Sequence, residues 1–458
     1  MAERELIRLA FDRGTLTVEP PAGVELELPG CKRDRRVGRL RAPASSYREV
    51  LTALHRGEHA YDDDARAYDE LSLTSNLVRK PYPHQAEAVD AWMRAGKRGV
   101  VVLPTGSGKT FVAQMLIERL GRSTLVVTPT LDLMRQWYGV LLTAFEVEVG
   151  LVGGGSFEPR SLTVTTYDSA HLHMERFGNQ FGFLVFDECH HLPSPGYSLA
   201  AEASLAPFRL GLTATPERED GGERRFADLI GPVVYRRDIQ ELAGSYLAEY
   251  DTETLRVRLS DEEREAYVTA RGIYRGFVES KGLKVGSPRG WQRFVQVAAR
   301  SAEGRQAFLA YREQRRIALA SAGKLRLLER LLLRHRQDRA LIFTSDNETV
   351  YRISRQFLIP AITHQTKVKE RHRTLSRFND GDLPFLVTSR VLNEGVDVPA
   401  ANVAIVLSGS GTVREHVQRL GRILRRGEGK RAVLYEVITE DTGEELTSQR
   451  RRRHGAYQ

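Results

Sequence analysis

The chain has 458 residues, 41% hydrophobic and 28% charged, with a formal net charge of +9 and a pI near 9.5. That length calls for two to four domains, and no apolar run approaches the ~20 residues of a membrane-spanning helix. Two cysteines, Cys31 and Cys189, exclude a disulfide framework and any four-thiolate zinc or iron–sulfur site built by this chain alone. The arginine-rich surplus favours a polyanionic partner.

The opening "MAERELIRLAFDRG" has no apolar segment flanked by a cleavage site, so a cytoplasmic protein is expected. Residues 1–79 alternate strand-like pieces, "TLTVEP" and "VELEL", with turn residues. A helical, acidic stretch follows, and together they read as a small α+β domain without a catalytic pattern. The basic run "CKRDRRVGRLR" reads as a solvated loop, with a DNA-facing role as its alternative.

From residue 80 the pattern is that of buried strands alternating with helices: "GVVVLPTG", "TLVVTPT", "LTVTTYD", "FLVFDE", "RLGLTAT". Such alternation means a parallel sheet with right-handed crossovers. This first domain is expected over 80–240, with a linker and the first strand of the next over 241–260. Residues 261–320 read as charged amphipathic helices joined by "KGLKVGSPRG". The alternation resumes over 321–458 in "ALIFTSD", "AITHQT", "FLVTSRVL", "VAIVLSG" and "AVLYEVIT", ahead of a basic tail.

"LPTGSGKT" ends a strand and opens a helix. Gly106 and Gly108 let backbone N–H groups curl around phosphate oxygens, and the helix N-terminus adds a favourable dipole. Lys109 would reach the β- and γ-phosphates, and Thr110 would offer a hydroxyl to Mg²⁺. The usual first glycine of this fingerprint is Leu103 here.

"FDECHHLP" admits two readings, a Cys-His-His metal nest or the acidic end of a nucleotide-hydrolysing strand. Three consecutive side chains diverge and have no second ligand cluster at metal spacing, which disfavours the first. In the second, Asp187 orients Mg²⁺ and Glu188 polarises the attacking water. His190 and His191 become relays from the hydrolytic site, with a purely structural role left open for His191. In "GLTATP", Thr213 and Thr215 can bond toward the same carboxylates. Further on, Gly395 and Asp397 could face ribose and phosphate. Gln418, Arg422 and Arg425 share a helical face from which two arginines could act as fingers on a γ-phosphate.

In this order, "PTGSGKT", "TPTLDLMRQW", "TTYDSA", "DECHH", "LTAT", "LIFTSD", "VTSRVLNEGVDVP" and "QRLGRILRR" resemble superfamily 2 helicases of the DExH type. Within it, the chain is similar to the XPB family in its short prokaryotic form. The resemblance implies an α/β architecture of two RecA-like parallel-sheet motor domains, a helical thumb-like insertion and an N-terminal damage-recognition-like domain. It implies ATP with Mg²⁺, and DNA at single-strand/duplex junctions, with 3′–5′ translocation or unwinding in nucleotide excision repair. Gln85, Thr105 and Ser107 join the nucleotide-binding set. Arg218, Glu219 and Asp220 match the family's strand-separating Arg-Glu-Asp element. Thr128, Pro129, Thr165 and Thr166 would contact the DNA backbone from the first motor, and Thr344 and Thr388 from the second. ATP would close the two motors so that Arg422 and Arg425 meet the phosphate. A monomer with a nuclease partner is the family-based expectation. The rivals are the motor subunit of a restriction system and an ATP-switched DNA clamp without processive unwinding.

Overall fold

A computed structural model describes residues 6–76, 79–218, 220–389, 401–409 and 431–451. The chain divides into two compact units, Met1–Leu242 and Ala243–Gln458.

The first unit holds an eight-stranded sheet. Its order is Val233–Arg236, Arg98–Val102, Phe208–Thr213, Phe183–Asp187, Thr124–Thr128, Leu162–Thr166, Val149–Gly153 and Ser156–Glu158. Every pairing is parallel except the last, a hairpin at one edge. Thr124–Thr128, Leu162–Thr166 and Phe183–Asp187 are buried along their whole length. Helices cover both faces of such a sheet, so its strands read as continuous apolar runs instead of alternating ones.

The N-terminal residues form a separate five-stranded sheet, ordered Lys32–Asp34, Arg39–Pro43, Thr15–Glu19, Ile7–Asp12 and Tyr61–Asp63, with the helix Tyr47–Arg56 packed on it. The expected strand "VELEL" does not form. Both edges of Thr15–Glu19 are already taken, by Ile7–Asp12 and Arg39–Pro43. Leu26 and Leu28 still pack on this core, while Val24 stays exposed. The module is seated at the strand starts of the larger sheet. Arg48 donates to the carbonyls of Gly96 and Pro207, Glu49 pairs with Arg98 at 2.8 Å, and Leu205 is buried in the module's own core.

The second unit holds a parallel sheet, ordered Glu249–Val257, Arg431–Thr439, Val403–Val406, Ala340–Phe343, Phe385–Thr388 and Ala361–Ile362 among the described residues. Three helices, Asp261–Ser280, Pro288–Ala298 and Ala302–Leu319, interrupt it after the first strand. Ser260 starts the first of these with a capping box completed by Glu263, which satisfies two orphan donors reciprocally. An aromatic cluster around Phe294 gives the insertion its own core.

Candidate nucleotide and nucleic-acid site

Parallel register aligns the strand ends of the first unit. Val102 pairs with Thr213, Asp187 with Leu212, Phe186 with Val127, and Thr128 with Thr166. The glycine loop, the Asp-Glu pair, the Thr-Ala-Thr segment and the two threonine-ended strands therefore emerge along one carboxyl edge. In open α/β sheets this is the edge where ligands bind.

Gly106 and Gly108 have φ of +86° and +88°, the left-handed region that only glycine enters without strain. Gly108 directly precedes the helix Lys109–Leu120. Gln85 Nε2 donates to the Ser107 carbonyl at 2.8 Å, while its Oε1 accepts from the Tyr82 backbone N–H at 3.0 Å. His84 Nε2 lies 3.0 Å from the same carbonyl. Gln85 therefore braces the loop from behind. Lys109 Nζ donates to the carbonyls of Leu103 and Pro104, at 3.1 and 3.3 Å. The Thr105 hydroxyl is buried without a hydrogen-bond partner among the described residues.

Asp187 is 6% exposed. Its Oδ2 accepts from Trp137 Nε1 at 2.7 Å and its Oδ1 from the Glu188 backbone N–H at 3.0 Å. Glu188 has φ of +47°, an uncommon conformation for a side chain of its size, of the kind that collects at functional sites. Its Oε2 lies 3.4 Å from Nδ1 of the buried His190, which is also 3.2 Å from the Thr213 hydroxyl. Thr213 in turn accepts from the Thr215 backbone N–H, and the Thr215 hydroxyl has no hydrogen-bond partner among the described residues. The His191 ring packs 4.3 Å from His190 and 6.0 Å from Tyr167.

Arg218 donates to the His190 carbonyl and holds Asp220 through two bonds, 2.8 and 2.7 Å. That forked contact keeps the Asp220 carboxyl well below the usual range. A continuous chain of contacts thus runs from Glu188 through His190 to Arg218 and Asp220.

The threonines expected to meet DNA are turned inward. Thr128 Oγ1 donates to the Thr165 carbonyl, Thr165 Oγ1 to Val152, and Thr344 Oγ1 to Asp346. Thr166 caps the helix Tyr167–Phe177. The Thr388 hydroxyl is buried without a hydrogen-bond partner among the described residues. Pro129 is partly exposed. These side chains shape the strand ends, which leaves backbone and helix starts to face a ligand. Glu219, Gly395, Asp397, Gln418, Arg422 and Arg425 lie outside the described residues.

Cys189 packs into the core with Val100 and Phe186. Burial, then the Glu188 and Asp187 charges, push its thiol well above the ordinary value, and a buried neutral thiol does not ligate a metal. The donor set at the carboxyl edge is a carboxylate, Asp187, and a hydroxyl, Thr110. Such hard oxygens are of the kind that would suit Mg²⁺. The motif reading took in Trp137 and Tyr167 only as members of "TPTLDLMRQW" and "TTYDSA", with no role of their own, and missed His84. The available signal was that a buried indole N–H or phenol needs a polar partner.

Three family models match the chain. They are the Type III restriction enzyme, res subunit, over residues 79–218; the Helicase conserved C-terminal domain over 323–427; and the Xeroderma pigmentosum group B helicase damage recognition domain over 9–65. The chain is 41% identical over 424 residues to DNA 3′-5′ translocase XPB2 of Sulfurisphaera tokodaii, covering 90% of this chain and 96% of that protein. It is 33% identical to DNA 3′-5′ helicase XPB of Kineococcus radiotolerans, covering 82% of this chain and 63% of that one. The crystal structure of the Pyrococcus furiosus Hef helicase domain superposes with a TM-score of 0.53 at 18% identity, covering 81% of this chain and 98% of that one. At that identity the likeness speaks for the fold alone.

Proposed function

Because this chain belongs to the XPB family of DNA helicases and translocases, we propose that it is an ATP-driven, DNA-dependent motor. It moves 3′–5′ and opens duplex DNA in nucleotide excision repair or a related DNA-processing pathway. The observation that carries this reading is the register-aligned carboxyl edge, which sets the glycine loop, Asp187–Glu188 and Thr213 side by side.

In this reading the Gly106–Gly108 backbone cradles phosphate, with Thr105 and Ser107 shaping the loop and Gln85 bracing it. Lys109 leaves its carbonyl partners for the β- and γ-phosphates. Asp187 and Thr110 would hold Mg²⁺, which would supply charge neutralisation on the phosphate oxygens. Glu188 takes the proton of the attacking water, and its contact with His190 passes the state of that carboxylate to Arg218 and Asp220. Gln418, Arg422 and Arg425 serve as donors to the transferring phosphoryl group, with Gly395 and Asp397 toward ribose and phosphate. The contacts of Thr128, Pro129, Thr165, Thr166, Thr344 and Thr388 with the DNA backbone are made by the strand ends they organise. Glu219 completes the strand-separating element.

We place the protein in the cytoplasm on the nucleoid, as a monomer with a nuclease partner. No helix among the described residues is long and apolar enough to cross a membrane. A restriction motor shares the core matched over residues 79–218, but the match over 9–65 favours the repair reading.

The test is hydrolysis and strand displacement on 3′-tailed and bubble substrates, with and without ATP. Lys109→Ala is expected to lose DNA-stimulated hydrolysis and unwinding together while keeping DNA binding. Hydrolysis without strand displacement on any substrate would instead support the ATP-switched clamp.

A further inference from the structure

Two donors from the motif stretches "TPTLDLMRQW" and "TTYDSA", neither given a role of its own by the sequence reading, converge on Asp187. Trp137 Nε1 donates to its Oδ2 at 2.7 Å, and Tyr167 OH donates to its main-chain carbonyl at 3.1 Å. Trp137 belongs to the helix Leu131–Phe145, which Thr130 caps; Tyr167 opens the helix that Thr166 caps. Each helix therefore begins at a strand end assigned above to the DNA backbone, and each sends a donor to the same residue.

The indole bond has a charged acceptor at the short end of the N–H···O range, where such bonds are strongest. It is also dry, because Trp137 is 1% exposed and Asp187 is 6% exposed. By contrast, the buried Trp92 gives its N–H to the Arg209 main-chain carbonyl, which satisfies an indole without touching a site. With Oδ1 already bonded to the Glu188 N–H, the Trp137 bond fixes the remaining rotation of the carboxylate. Any shift of the helix Leu131–Phe145 turns that carboxylate.

We propose that Trp137 is a positioning residue that sets the Asp187 carboxylate for Mg²⁺ and couples it to the helix starting at the DNA-facing strand end. This rests on the assignment of Asp187 to the metal, so the experiment separates the two. In the full-length protein, Mg²⁺ is titrated against binding of a fluorescent non-hydrolysable ATP analogue for wild type, Trp137→Phe and Asp187→Asn. Trp137→Phe is expected to leave Mg²⁺-free nucleotide binding unchanged and to raise the half-saturating Mg²⁺ roughly tenfold, the low end for loss of a partner of a metal-binding carboxylate. The ratio of DNA-stimulated to DNA-free hydrolysis is expected to fall with it.

A wild-type Mg²⁺ midpoint and stimulation ratio in folded Trp137→Phe overturn the inference. A wild-type midpoint in Asp187→Asn overturns the metal assignment instead. Should Trp137→Phe not fold, the indole N–H resonances of Trp92, Trp137 and Trp291 in the wild-type chain decide. One is expected to move when Mg²⁺ and nucleotide are added together, and to be the resonance that Asp187→Asn shifts. If no indole resonance responds, the inference fails.

Discussion

In sequence Cys189 sits between Asp187–Glu188 and two histidines, but a Cβ on Gly211 would lie only 3.0 Å from its Sγ, inside the core. Burial governs its chemistry as it does that of Cys31, whose thiol burial pushes up to about 11. At pH 8 a thiol of that pKa is roughly one part in a thousand thiolate, against about a quarter for an ordinary cysteine. A disulfide-exchange titration of the native protein at pH 8 is therefore expected to find neither thiol reacting quickly, with both released on denaturation. Under the proposed function Glu188 is the complementary case, a group whose loss is chemical. Glu188→Gln keeps the side-chain shape and is expected to lower kcat by about 10²–10⁴, the usual span for a general base, while nucleotide affinity stays near wild type. Phosphate-release and equilibrium-binding measurements read the two separately. Both carboxylates were legible because an apolar strand ends in them. The Trp137 bond was not, since its partner lies across a crossover and the contact exists only once the sheet has formed.

At the scale of elements, the strands of the first motor could be read because they are short β-branched runs between turn signals. What could not be read was competition for strand edges. Residues 24–28 have the right alternation but form no strand, and the neighbouring Thr15–Glu19 is already paired on both sides. The edge strands Ser156–Glu158 and Val233–Arg236 were invisible, because exposed edge strands lack the apolar run that marks central ones. The phosphate loop shows how tightly one element constrains another. A Cβ on Gly108 would sit 2.2 Å from Gln85 Nε2, at a φ that an L side chain reaches at a cost of about 1–2 kcal/mol. Gly108→Ala is thus expected to displace Gln85 from the Ser107 carbonyl and to weaken nucleotide binding by at least tenfold, without a comparable loss of DNA affinity. Paired titrations with a fluorescent nucleotide and a fluorescent DNA check this. Equal losses in both would mean global unfolding.

At the scale of the whole molecule, each motor sheet is closed by a buried cation that no motif announces. In the first unit Arg209, fully buried, donates to the carbonyls of Ser204, Ala206 and Leu229. Burial and the neighbouring Arg98 lower its pKa to about 9, still high enough to keep it charged at neutral pH. In the second unit Lys324 plays this part. Its Nζ lies 2.6 Å from Glu444 and also donates to the carbonyls of Leu407 and Val437, while Glu444 accepts from the Thr439 backbone N–H. One lysine therefore ties a helix start, the ends of two adjacent strands and the helix Gly443–Arg451. With Lys324 and Glu444 only 0% and 4% exposed, removal of one partner strands the other charge in a dry site, at a cost of about 3–5 kcal/mol. Lys324→Met should accordingly lower the transition of the second unit by roughly 10 °C, at about 2–4 °C per kcal/mol for a unit of this size. Lys324→Met with Glu444→Leu removes both charges and is expected to recover much of that loss, because the penalty lies in the unpaired ion and not in the missing bond. Calorimetry on the two single variants and the double variant tests the argument, and strictly additive losses would show that the pair acts only through its separate contacts.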